Sequence, residues 1–113
     1  MSYEVVKDRV DYTWVLTQQI ERIAQAATRY FKTPAARREQ VLAELKGAVQ
    51  VLLDLADPVL EGGVDGEYET LRRARSYHDI MAVYRRVAKR LAQAGLLLRK
   101  SGLEDEAGGL WPR

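Results

Sequence analysis

The sequence of 113 residues has no cysteine, no asparagine and a single histidine, His78. Without cysteine it can form neither a disulfide scaffold nor a thiolate metal site, and one histidine cannot build a multi-histidine metal centre. Glycine-rich phosphate loops and the HExxH and GxSxG patterns are also missing from the sequence. We therefore expect no cofactor, no metal site and no small-molecule substrate.

Long apolar runs are missing as well. No stretch approaches the ~20 apolar residues of a membrane-spanning helix. The amino-terminal segment carries charges from Glu4 onward and has no apolar secretory core. We expect a cytoplasmic protein that does not associate with a membrane. The lack of cysteine and asparagine beside 30% charged residues is also typical of a thermophile.

Residues that interrupt helices are few, and they are clustered. The prolines and most glycines fall at three places, which leaves only Gly47 and Gly95 inside long segments rich in Ala, Leu, Arg, Gln and Glu. No alternating strand pattern exceeds a few residues. The length fits one domain, residues 1–113. We predict an all-α fold: an antiparallel helical bundle of three long helices plus one short helix, resembling a four-helix bundle.

Apolar residues recur at helical spacing in each long segment. Leu16, Ile20 and Ile23, for example, belong to one stripe of the first helix. Thr33 followed by Pro34 predicts the start of the second helix, because threonine caps free amides and proline fits the first helical position. So short a turn predicts that the first two helices form an antiparallel hairpin.

The second half of the chain is predicted to contain two helices with a break at Ser76. A continuous helix would place the early apolar residues about 100° from the later stripe, and Ser76 with Asp79 three positions later is a suitable helix cap. The predicted helices cover residues 10–32, 34–56, 67–75 and 76–100, followed by an irregular tail at residues 101–113.

A six-residue segment before the last helix carries the one pattern with a catalytic precedent. It reads Arg73-Ala-Arg-Ser-Tyr-His78 and resembles the R-x4-H motif of HEPN-domain ribonucleases, helical proteins that pair Arg and His at a dimer cleft and cleave RNA without a metal. The resemblance implies that Arg73 stabilises charge developing on the phosphate and that His78 acts on the 2′-hydroxyl or holds the water. The sequence departs from the family at Ala74, where a polar residue is common, and at Ile80, where an aromatic is common. The alternative is a solvent-exposed histidine with no catalytic role.

Charge is distributed unevenly behind a net charge of only +2. Residues 1–70 hold 8 basic and 12 acidic residues, whereas residues 71–100 hold 9 basic residues and one acidic residue. Helical spacing predicts that several of these cations form a basic ridge on the last helix, opposite its apolar stripe. Such a ridge can follow the phosphates of a nucleic acid. The predicted ridge comprises Arg75, Arg86, Lys89, Arg90 and Lys100.

Apolar residues outside the predicted stripes indicate a further surface. Leu96, Leu97 and Leu98 are consecutive, so at least one points away from the core, and Trp14 lies off the main stripe of the first helix. Because a helical core this small often gains stability by oligomerising, we predict a homo-oligomer with these four residues at its interface.

These patterns favour a non-enzymatic interaction protein, self-associating and binding DNA, RNA or another anionic partner through its basic last helix. One alternative is a HEPN-like, metal-independent ribonuclease that uses Arg73 and His78 at a dimer interface. The other is a structural or adaptor subunit of a larger complex, which would work through protein–protein contacts.

Overall fold

The computed structural model describes the backbone of residues 2–97 and the side chains of residues 12–97. This part of the chain is all-helical and contains no strand. Its elements are α1 (Ser2–Lys32), a 3-10 turn (Ala35–Arg37), α2 (Arg38–Ala56), α3 (Asp65–Arg73) and α4 (Tyr77–Gln93). Within the described range, no helix combines the length and apolar character needed to cross a membrane.

The two longest helices, α1 and α2, run antiparallel, as the short link predicts. The side-chain amide of Gln19 donates to the carbonyl of Ala48 at 2.8 Å. Nearer the amino terminus of α1, the hydroxyl of Tyr12 donates to the carbonyl of Leu55. Since Tyr12 lies opposite the last turn of α2, the first ten residues of α1 extend beyond the end of α2. Helix α1 therefore starts well before the predicted residue 10.

The link between α1 and α2 differs in detail from the prediction. The Thr33 hydroxyl donates back to the carbonyl of Arg29 at 2.7 Å, so it does not cap the next helix. The element that follows Pro34 is a 3-10 turn, and it has no side-chain cap. Helix α2 proper begins at Arg38.

Helix α2 is the central element, packed against α1, α3 and α4. Its buried residues recur at helical spacing, which gives it a wide apolar face. The members of that face are Val41, Leu45, Val49, Leu52, Leu53 and Ala56. From α1, the predicted stripe residues Leu16, Ile20 and Ile23 are buried in the same core.

The loop from α2 to α3 is built around one carboxylate. The Asp57 side chain accepts the backbone N–H of Val64 at 3.0 Å, and Leu60 and Val64 are buried. Gly63 has a φ of +67°, and a Cβ there would lie 2.8 Å from the Asp57 Oδ1 atom. The loop is thus held from both ends, which fixes where α3 begins.

The predicted break at Ser76 is confirmed. Ala74 has an extended backbone, and the Ser76 side chain accepts the backbone N–H of Asp79 at 3.1 Å. This contact satisfies one of the free amides in the first turn of α4.

Helix α4 ends at Gln93, so the prediction that it continues to residue 100 is wrong. The N–H of Leu96 donates to the carbonyl of Leu91 and that of Gly95 to Ala92, both at 3.0 Å, and Gly95 has a φ of +72°. This is a Schellman motif, in which glycine takes the left-handed conformation that terminates a helix. The four helices have 31, 19, 9 and 17 residues. The predicted tail, residues 101–113, lies outside the described residues.

Candidate functional site

The solvent face of α4 carries three cations in its middle turns. Tyr84, Val87 and Leu91 are among the residues that define its buried face. At 100° per residue, the cations lie on the opposite side. Arg86 and Lys89 are exposed and Arg85 is half-buried. We call Arg85, Arg86 and Lys89 the α4 basic face.

In the part of the chain that the structure describes, no carboxylate pairs with the cations of the α4 basic face. Among residues 12–97, ion pairs join Arg29 to Glu44, Arg72 and Arg73 to Glu69, and Arg90 to Glu67. None of the described carboxylates lies within ion-pair distance of Arg85, Arg86 or Lys89. The positive charge of this face therefore remains available to an external anion.

Arg90, predicted as part of the basic ridge, is engaged inside the molecule. Its Nη1 atom lies 3.1 Å from Oε2 of Glu67, a buried residue of α3. Its Nη2 atom donates to the carbonyl of Glu61 at 3.1 Å. Arg90 therefore ties α4 to α3 and to the preceding loop, and helical spacing alone was a wrong guide to its role.

Arg75 lies away from the α4 basic face, in the extended link before α4. There it lines an open groove of about 430 Å³ together with Lys46, Arg72 and Glu39. The Lys46 ammonium donates to the carbonyls of Ala74 at 2.8 Å and Arg72 at 3.2 Å, so it stabilises the carboxyl end of α3. Lys100 lies outside the described residues. Of the predicted ridge, only Arg86 and Lys89 therefore belong to the α4 basic face, which extends about 6 Å along the helix axis from Arg85 to Lys89.

The two residues of the ribonuclease resemblance flank the junction between α3 and α4. Arg73 is exposed at the last position of α3, and its guanidinium lies 3.3 Å from Glu69. His78 is exposed in the first turn of α4. In the described part of the chain no hydrogen bond joins them, and the nearby groove is lined by Arg72 and Arg75 instead.

Three aromatic rings meet where the carboxyl end of α1 reaches the start of α4. The rings of Tyr30 and Tyr77 stack, with centroids 4.8 Å apart and an interplanar angle of 16°. Phe31 meets both edge-on, at 5.4 Å from Tyr30 and 4.8 Å from Tyr77. The guanidinium of Arg38 lies 5.5 Å from the centroid of the Tyr30 ring, a cation–π contact. We call Tyr30, Phe31 and Tyr77 the aromatic cluster.

Electrostatics connect the aromatic cluster with the α4 basic face. Burial raises the pKa of Tyr77, and the positive charge of Arg85 acts in the opposite direction. Arg85, which the sequence prediction omitted, therefore lies within electrostatic reach of the cluster. The sequence prediction also missed a second basic segment. Residues 29–38 hold four basic residues and no acidic residue, but the net charge of residues 1–70 as a whole is negative.

The residues predicted at an oligomer interface differ in their exposure. Trp14 is 54% exposed. Leu96 and Leu97 are half-buried and pack against the core, so most of their surface is already covered. Leu98 lies outside the described residues.

Comparison with known proteins gives no match: no family model matches the chain, and neither a curated protein nor a solved structure does. In the described residues, no group of three His, Asp or Glu side chains is placed to hold a metal ion.

Proposed function

We propose that this chain is a small, non-enzymatic helical-bundle protein that binds nucleic acid through the α4 basic face and associates with copies of itself. The observation that carries the proposal is the absence, among the described residues, of any carboxylate paired with Arg85, Arg86 or Lys89. Arg29, Arg72, Arg73 and Arg90, by contrast, each have an acidic partner. A surface that keeps its cations free is suited to an anionic partner.

The side-chain types on this face favour phosphate as the anion. Arginine presents a planar fork that binds phosphate with two parallel hydrogen bonds, and lysine adds a compact charge. Arg85 and Lys89 are one helical turn apart, about 6 Å along the axis, so a chain of phosphates can contact them in succession. Counterions released from the phosphates of the nucleic acid then supply binding free energy.

Self-association is supported by Trp14, whose large side chain is more than half exposed on α1. It lies well away from the α4 basic face in sequence. Two copies joined through this part of α1 would present two basic faces, which raises the affinity for one long nucleic acid through multivalency.

Fluorescence anisotropy with labelled oligonucleotides tests the proposal at about 50 mM salt, where phosphate contacts are strong. The double variant Arg86→Glu/Lys89→Glu is expected to lose binding while remaining folded. Arg90 is left intact because its substitution would disturb the contact with Glu67. A matched control, Arg72→Glu/Arg73→Glu, changes the net charge equally on α3.

Binding that survives in the α4 variant, or that is lost equally in the α3 control, would refute the assignment of the site. Absence of binding by the wild-type chain at micromolar concentration would refute the proposed function.

A further inference from the structure

Phe31 is the most exposed large hydrophobic side chain in the described part of the molecule, at 61%. Its two described ring contacts are edge-on, with interplanar angles of 86° and 71° to Tyr30 and Tyr77. No described ring stacks in parallel on Phe31, so the ring remains able to accept a flat partner on an open face. Aromatic side chains dominate the energetics of interfaces, so an exposed ring that is supported by other rings is suited to recognition.

The ring is held in a defined position. The stacked pair of Tyr30 and Tyr77 joins the last turn of α1 to the first residue of α4, and Arg38 covers the Tyr30 ring. Arg38 also donates through Nε to the carbonyl of Thr33 at 3.0 Å. Because these contacts come from α1, the link and α4, a partner that binds Phe31 meets a platform whose supporting rings are already fixed.

Cations lie close to this platform in the sequence. Lys32 and Arg37 are exposed and, within residues 12–97, make no ion pair. Arg85 on α4 acts electrostatically on Tyr77. The acids nearest to the cluster in sequence are Glu39, eight residues after Phe31, and Asp79, two residues after Tyr77. The surroundings of Phe31 are therefore predominantly basic and complement a partner that carries both a flat apolar group and negative charge.

We propose that Phe31 is a stacking platform for an unpaired base of single-stranded nucleic acid, whose phosphates contact Lys32 and Arg37 on one side and the α4 basic face on the other. This inference rests on the proposed function and adds the class of nucleic acid to it. An unpaired base has free faces to stack on an aromatic ring, whereas the bases of a duplex are already stacked on each other. A duplex can use only the cations.

The test compares three probes by fluorescence anisotropy: a single strand of about ten nucleotides, the same strand with abasic sites, which keeps all its phosphates, and the corresponding duplex, which has a second phosphate backbone. The wild-type chain is expected to bind the intact single strand most tightly. Phe31→Ala should weaken that binding by roughly 5- to 150-fold, the range that loss of one stacked base gives. Binding to the abasic strand should change little.

Two matched variants isolate the ring. Phe31→Trp keeps an aromatic face and should retain the preference for the intact strand. Val51→Ala truncates another exposed apolar side chain, on α2, and should leave all three affinities unchanged. Circular dichroism melts of each variant show whether the fold is kept.

The outcomes separate the two proposals. If the chain binds all three probes equally and Phe31→Ala has no effect, the stacking platform is wrong and the proposed function stands. If the chain binds none of the probes at low salt, the proposed function is wrong and the platform with it. If Phe31→Ala instead shifts the chain from oligomer to monomer in light scattering, without changing affinity for the intact strand, the ring contacts a second copy and the platform is refuted.

Discussion

Arg90 is the cation whose removal the structure predicts to be most damaging to the fold. Its guanidinium joins Glu67 on α3 and the carbonyl of Glu61 in the preceding loop, both at 3.1 Å. Only 10% of the Glu67 side chain is exposed, against 30% for Arg90. Truncation in Arg90→Ala therefore leaves a carboxylate in a largely dry site with no cation.

The size of the effect follows from this burial. Removing one partner of a fully buried ion pair destabilises a protein by about 3–5 kcal/mol. Since Arg90 is partly exposed, water reaches the site after truncation, and we expect a loss of about 2–3 kcal/mol. At about 4 °C per kcal/mol for a domain of this size, the Tm should fall by about 8–12 °C.

Thermal and urea unfolding followed by circular dichroism measure the change. Arg86→Ala, four residues earlier on the solvent face, is the matched control and should change stability by no more than about 0.5 kcal/mol. The double variant Arg90→Met/Glu67→Leu, which replaces both charges with apolar groups, should be more stable than Arg90→Ala. Equal stability of Arg90→Ala and Arg86→Ala would refute the structural role of the Arg90 contact.

Two further predictions concern backbone conformation and a buried phenol. Gly95→Ala should destabilise the chain by about 1 kcal/mol because φ is +72° there. Gly47→Ala, in open space inside α2, should stabilise it by about 0.5–1 kcal/mol. If urea unfolding shows that both variants change the free energy of unfolding in the same direction, the Schellman assignment is contradicted. Burial raises the pKa of Tyr84 from 10.0 to about 12, so the unfolded chain releases the proton first and stability falls as pH rises from 10 to 12, by up to about 1.4 kcal/mol per unit. The Tyr84 hydroxyl has no hydrogen-bond partner among the described residues, so Tyr84→Phe should be neutral or stabilising at pH 7. In thermal melts between pH 10 and pH 12 the variant should lose less stability than the wild-type chain. The same loss of stability in both would contradict this.

Local sequence patterns predicted those features of the helices that depend on residues within one helix. The spacing of Leu16, Ile20 and Ile23 identified the buried face of α1, and Ser76 identified the start of α4 through its contact with Asp79. The end of α4 was missed for a physical reason. Leu96 and its neighbours prolong the apolar pattern beyond Gly95, and periodicity carries no information about the left-handed conformation that this glycine adopts.

The candidate site was predictable only in part, because it depends on which helices meet. Helical spacing placed Arg86 and Lys89 on the solvent face. It also placed Arg90 beside them, since one helix in isolation cannot reveal that Glu67 of α3 lies within reach. The aromatic cluster required the end of α1 to approach the start of α4, and neither segment alone indicates that Tyr30 stacks on Tyr77.

The dependence of binding on salt concentration tests the central claim most directly. We predict that log K for a single-stranded oligonucleotide falls linearly with log salt. The slope should become shallower by about 2 in Arg85→Gln/Arg86→Gln/Lys89→Gln, since each phosphate contact on a single strand contributes about 0.7. An unchanged slope in this variant, or no binding by the wild-type chain at about 50 mM salt, would contradict the claim that the α4 basic face binds nucleic acid.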